Sequence, residues 1–299
     1  MTPYTAPYAR LNTYIALAGP KPALWRIAGG LAIAAVIGFM SLQAVMAALV
    51  AIHGADRARE AATDFATGAT PRGVVALLFC YLPVMGGLAV GLALMMRRGL
   101  PSLIGPWRAA LRNFFWVALP LVALWAALLP VTTLGDGVSA NLSLGQQLPW
   151  LPIAVLGLIV QTGTEELVFR GYLQQNLAAR FRSRWVWMVL PSVLFGLLHY
   201  SVQQFGALSW LVVGWSALFG LVAADLTART GNLGAAVGLH FANNVSAVLL
   251  LGMSGNIGGL ALFTATVDTA QISVALGHFA VDTVALLISW LVARLVLRV

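Results

Sequence analysis

Charge is scarce in this chain of 299 residues: aspartate, glutamate, lysine and arginine together make up 9% of it. Ordinary soluble domains run at roughly 25% charged. Lysine is almost missing, with Lys21 the sole example among 17 basic residues. Cysteine is represented only by Cys80, inside an apolar run, so no intramolecular disulfide framework exists. The N-terminus lacks the pattern of a cleaved signal peptide. Residues 1–22 are polar and carry proline, and the first apolar run is too long for a signal core. Internal repeats and low-complexity segments are also lacking, and the apolar segments do not divide into inverted halves. That argues against a transporter.

What is abundant is hydrophobicity, at 60% of residues. No soluble core buries that much apolar surface, so lipid must cover part of it. The net charge of +8 therefore reads as arginines at membrane headgroups rather than as a nucleic-acid footprint; no nucleic-acid partner is expected. The expected fold class is all-α, a polytopic transmembrane helical bundle.

A span needs about 20 apolar residues. Eight segments qualify: about 24–52, 73–96, 113–134, one starting near 149, 185–200, 206–227, 231–252 and 274–296. Between the second and third lies a short amphipathic stretch with Arg108 and Arg112 on an interfacial turn. With the N-terminus cytoplasmic, thirteen basic residues fall on the inner side, Arg10, Lys21 and Arg26 among them. Only Arg57, Arg59 and Arg72 fall outside. This bias obeys the positive-inside rule and predicts both termini in the cytoplasm. The pairs Gly87/Gly91 and Gly234/Gly238 have the small-xxx-small spacing that lets helices approach closely. The loops 54–72 and 253–273 read as polar and mobile. Tryptophans such as Trp116, Trp150, Trp185 and Trp187 suit interfacial anchoring. The expected divisions are 1–149 with three spans, a core at 150–252, and an outer loop with a final helix at 253–299.

Ionisable residues inside a span are costly and need a partner, a cavity or a role. Three groups stand out. Glu165, Glu166 and Arg170 lie on one helix. Glu166 faces Arg170 at i,i+4, while Glu165 points about 100° away and is free for another surface. His199 closes the run Phe195-Gly196-Leu197-Leu198-His199. His240 and Asn244, at i,i+4, share a helix face and can hold a water or donate to an oxyanion. At 1.5 Å per residue, Glu165 and His199 lie about 22 Å from the basic ends of their helices, Asn244 about 20 Å and His240 about 14 Å. Asp225 with Arg229 reads as a surface pair. His278 with Asp282 reads as a structural pair, and Asn243 as a partner of an adjacent helix.

These residues, Glu165-Glu166-x-x-x-Arg170, Phe195-x-x-x-His199 and His240-x-x-x-Asn244, resemble the three ordered motifs of the CAAX-protease and bacteriocin-processing (CPBP, or Abi) intramembrane proteases. That family includes the eukaryotic Ras-converting CAAX endopeptidase. The likeness covers roughly residues 150–252, and no motif position departs from the pattern. It implies peptide hydrolysis within the membrane. By position, Glu165 would be the general base and His199 its partner in activating water. His240 and Asn244 would stabilise the oxyanion, and Glu166 and Arg170 would support the site. It implies a membrane-associated peptide or protein as substrate; the Arg-, Ala-, Leu- and Trp-rich composition points to a bacterial inner membrane as location. No cofactor is expected. Should a zinc ion be used instead, Glu165, His199 and His240 would be its ligands, although the H-E-x-x-H spacing is absent. A non-catalytic immunity or scaffold protein on the same fold is the rival reading.

Overall fold

The computed structural model describes residues 3–19, 22–135, 137–266 and 272–299. Lys21, one of the residues in the charge count, lies outside them. The chain is a multi-pass helical membrane protein. Among the described residues six helical stretches are long and apolar enough to cross a bilayer, and two shorter apolar ones, Trp185–Leu197 and Gly234–Leu250, fall where the fifth and seventh spans are expected.

The N-terminal segment carries α1 (Leu11–Ala16). It leads to α2 (Leu24–His53), which is largely apolar and exposed along much of its surface, with Phe39 and Met40 turned outward for lipid. Residues 54–72 are not a mobile loop: Ala55–Thr67 forms α3, with Ala58 buried beneath it. The second span is interrupted at Cys80 between α4 (Pro71–Phe79) and α5 (Tyr81–Met96). Pro83 has no N–H to give the Phe79 carbonyl, which is how proline bends a helix. After the short α6 (Pro101–Ile104), α7 (Trp107–Thr132) starts earlier than expected. The stretch with Arg108 and Arg112 is its first two turns rather than a separate interfacial piece.

Both glycine pairs sit at close helix crossings. A Cβ on Gly91 would lie 2.5 Å from the Gly30 carbonyl oxygen, and one on Gly87 would lie 2.8 Å from Ala34 Cα. On the next helix pair, Gly238 would meet the Phe114 carbonyl at 2.7 Å, and Gly234 would strike that of Ala110. Only residues without a side chain permit these approaches.

Strand β1 (Val138–Ala140) and helix α8 (Leu144–Gln147) precede α9 (Leu151–Glu166). A π-helical stretch, Leu167–Gln174, and α10 (Gln175–Arg180) prolong α9 without a break in the helix. The fifth segment opens with π-helical Trp185–Val189 and ends with α11 (Leu190–Leu197). Then come α12 (Val202–Phe205), α13 (Ser209–Thr230) and α14 (Gly234–Val245), which runs on through π-helical Ser246–Leu250. Strands β2 (Leu251–Met253) and β3 (Phe263–Ala265) lead to α15 (Ile272–Leu297).

The described part of the 253–273 loop is ordered. Strand β3 pairs antiparallel with β1 and parallel with β2. Ile257 N–H donates to Thr67 O, and Gly259 N–H to Gly68 O. Asn141 reaches Gly258 and Ala261, and Gln147 reaches Leu249 and Leu260. One end of the bundle is thus closed by a small polar cap.

The opposite end gathers the arginines. Arg98 donates to Leu17 O, Gln175 and Asn176, and Arg180 to Pro22 O. Asp225 is not a surface residue. It is buried, and it accepts from Tyr8 Oη at 2.7 Å, Arg229 Nε at 2.8 Å and Trp290 Nε1 at 2.9 Å. The two ends of the chain therefore meet on one carboxylate. Burial and then the Asp225 carboxylate push the Tyr8 hydroxyl up to about 12, so it remains a donor. Trp187 is also no interfacial anchor: it is fully buried, edge-on to the Tyr4 and Tyr8 rings. His278 and Asp282 are both exposed, and no ion pair joins them among the described residues.

Candidate active site

Three helical segments supply the site, and local sequence sets the depth of each. Residues Thr230–Leu233 form the joint between α13 and α14. Gly231 takes the left-handed conformation (φ 69°) that ends α13, where a Cβ would be strained. Asn232 Oδ1 then accepts from the Gly234 N–H at the start of α14 and from Asn113 Nδ2 of α7. With the glycine contacts on α7, this anchors α14 and carries His240 into the interior.

Glu166 and Arg170 are fully enclosed, at 0% and 1% exposure, and Arg170 Nη1 lies 3.1 Å from Glu166 Oε1. The pair expected from i,i+4 spacing is present, although the backbone between them passes into the π-helical stretch. Such insertions occur often at functional sites. The same Glu166 oxygen holds His240 Nδ1 at 2.8 Å. The other imidazole nitrogen, Nε2, faces Glu165 Oε2 at 3.6 Å. His240 thus bridges the two adjacent carboxylates.

Phe195 is the wedge behind these groups. Its ring lies under the Arg170 guanidinium at 4.6 Å, edge-on to His240 at 6.0 Å and against His199 at 4.7 Å. Phe219 closes the other side of His240 at 4.9 Å. The aromatic position of the second motif therefore touches all three motifs.

His199 lies just past the end of α11, whose C-cap is Leu198, rather than on a span running to residue 200. Its Nδ1 bonds the Phe195 carbonyl at 2.9 Å and its ring is partly buried. The structure records no hydrogen bond from His199 to Glu165. The imidazole next to Glu165 is that of His240. Asn244 is partly buried and donates from Nδ2 to Gln161 Oε1 at 2.8 Å. Among the described residues Asn243 bonds no adjacent helix: it donates to Asn244 Oδ1 at 3.2 Å.

Three of the buried polar atoms without a hydrogen-bond partner among the described residues lie here, Glu165 Oε2, Glu166 Oε2 and Arg170 Nη2; others, such as Arg98 Nε and Arg180 Nε, lie elsewhere. Unsatisfied groups are costly in an apolar interior, and a catalytic role is one reason for them to persist. Two further residues are brought to Glu165 that sequence reasoning did not select. Tyr81, at the joint between α4 and α5, is a neighbour of Glu165. Its signal was a phenol two residues before a proline, mid-way through an apolar span. Gln161 is buried one turn before Glu165 on α9. Its signal was an amide on the same helix face as a buried acid.

Glu165, His199 and His240 do not assemble as metal ligands. Among the described residues no group of three or more His, Cys, Asp or Glu side chains is arranged to hold a metal ion. Both His240 nitrogens face glutamates, and His199 Nδ1 is tied to a backbone carbonyl.

Residues 146–246 match the family model described as "Rce1-like: Type II CAAX prenyl endopeptidase Rce1-like". The matched segment holds all seven motif residues, and the resemblance read from the motifs holds over it. The chain is also 28% identical over 196 residues to an uncharacterized protein, YyaK, of Bacillus subtilis (strain 168). That alignment covers 62% of this chain and 64% of the relative. No solved structure matches the chain.

Proposed function

We infer that the chain is an intramembrane endopeptidase that hydrolyses a peptide bond of a membrane-associated protein or peptide, with water activated by Glu165. One observation carries this reading. Within the Rce1-like segment, a nearly enclosed carboxylate with an unpartnered oxygen faces an imidazole whose other nitrogen is fixed by a second carboxylate.

Arg170 balances the Glu166 carboxylate. Glu165 acts as the base and a His240 Nε2–H as a donor. Glu165 takes a proton from water as the water oxygen bonds to the carbonyl carbon. The oxyanion accepts from His240 and from Asn244 Nδ2–H, donors of the kind worth about 2.7–4 kcal/mol each. The C–N bond then breaks, and the proton passes to the departing amine. His199, with Nδ1 committed to Phe195, has Nε2 left to orient the water. Residues 150–252 form the catalytic core, both termini face the cytoplasm, and the membrane is a bacterial inner membrane. Substrates consistent with the family are a prenylated CAAX tail, a leader peptide or a membrane-protein segment.

Comparative proteomics of membranes from cells carrying the wild-type or the Glu165→Gln protein tests this. Peptides cut only in the wild type support it. Identical peptide sets from equally expressed proteins overturn it.

A further inference from the structure

Helices α9 and α14 meet along two polar rungs. In one, Glu165 faces His240 at 3.6 Å; in the other, Gln161 Oε1 takes the Asn244 amide at 2.8 Å. The spacing is reciprocal. Gln161 stands four residues before Glu165 and Asn244 four residues after His240, so each rung lies one helical turn from the other on antiparallel helices. The amide orientation of Asn244 is fixed from both ends. Its Oδ1 accepts from Asn243 Nδ2 at 3.2 Å, which turns Nδ2 toward Gln161. An amide nitrogen carries two hydrogens. One is held by Gln161, and the other remains to donate.

We propose that Gln161 is a positioning residue for the hydrolysis: it holds the Asn244 amide so that the second Nδ2–H points at the developing oxyanion. This rests on the peptidase reading above. Gln161 is buried at 7% exposure and lies outside the three motifs. A fixed donor stabilises a transition state because it needs no reorganisation as charge develops. A freely rotating amide has to be ordered first. Gln161 touches Asn244 and not the reacting atoms, so its loss acts through Asn244 alone.

The test compares full-length wild type, Gln161→Leu, Gln161→Glu, Asn244→Ala and the Gln161→Leu/Asn244→Ala double variant. The protein is labelled with ¹⁵N-asparagine in detergent micelles, and Asn244→Ala identifies the Asn244 side-chain signal. One of its two amide hydrogens exchanges slowly in the wild type, and Gln161→Leu abolishes that protection; Gln161→Glu, which keeps an acceptor oxygen, restores it. Cleavage is followed with a fluorogenic farnesylated peptide, its unprenylated counterpart, and any peptide released only by the wild type. Gln161→Leu lowers kcat about 10- to 100-fold with KM unchanged, and adds nothing to the loss already caused by Asn244→Ala. Unaltered exchange in Gln161→Leu overturns the clamp regardless of activity. Additive losses in the double variant, or full kcat with the clamp gone, overturn its role. A wild type that cleaves nothing while its Asn244 signal responds to Gln161→Leu sinks the peptidase reading, and with it the role, but not the contact.

Discussion

Two carboxylate clusters lie inside this bundle, and they are satisfied to different degrees. Asp225, at the arginine-rich end, accepts from a phenol, a guanidinium and an indole contributed by three separate parts of the chain. None of its oxygens is left without a partner. In the interior, Glu165, Glu166 and Arg170 each keep one buried polar atom unpaired. Burial alone does not separate the two clusters, since Asp225 is 8% exposed and Glu165 9%. What separates them is the residual hydrogen-bonding capacity, complete in one and withheld in the other. A carboxylate that only ties helices together is served by full satisfaction. One that must bind water or a substrate needs an open valence.

Changing one residue at a time can break or sharpen this contrast. The largest effect is expected from Glu165→Gln: cleavage should fall by about 10³-fold or more, while the thermal midpoint in detergent should hold or rise. A fall in midpoint would place Glu165 with the structural cluster. Next is Arg170→Leu, which strips the fully buried Glu166 of its cation. Breaking a buried pair on one side costs about 3–5 kcal/mol, so yield and midpoint should drop together with activity. Asp225→Asn should cost less, about 1–3 kcal/mol, through the donors of Arg229 and Trp290 left unmatched. Protein that survives this change should keep the wild-type kcat, and a kcat loss would give Asp225 a part in the chemistry. Smallest is Asp56→Ala. Asp56 pairs with Arg59 at 2.7 Å, but both side chains are largely exposed, and such pairs contribute little. Neither midpoint nor cleavage should move measurably.

The sequence made the segment positions readable because lipid imposes a length and a polarity on every span. The glycine pairs and the Glu166–Arg170 contact were readable because they depend only on helical periodicity. The backbone departures were not. The π-helical stretch after Glu166 and the early end of α11 before His199 arise from packing among helices, which no single-helix pattern encodes. Asp225 was misread for a related reason. Its i,i+4 arginine looks the same on a surface helix, and only the arrival of Tyr8 and Trp290 from distant parts of the chain buries it. The ordered cap near residues 251–266 was missed because polar, glycine-rich composition marks loops without showing that several loops pair with one another. Gln161 was derivable in principle: on antiparallel helices, a contact between residues 165 and 240 places 161 opposite 244.

The brevity of the fifth helical segment has a consequence for the surrounding lipid. From Trp185 to Leu197 it rises about 20 Å, against a hydrocarbon layer of about 30 Å. Leu198, just beyond its end, is highly exposed. Such a mismatch is relieved by local thinning of the bilayer or by polar groups and water following the chain inward. Either response brings the aqueous boundary closer to His199, where the proposed hydrolysis would draw its water.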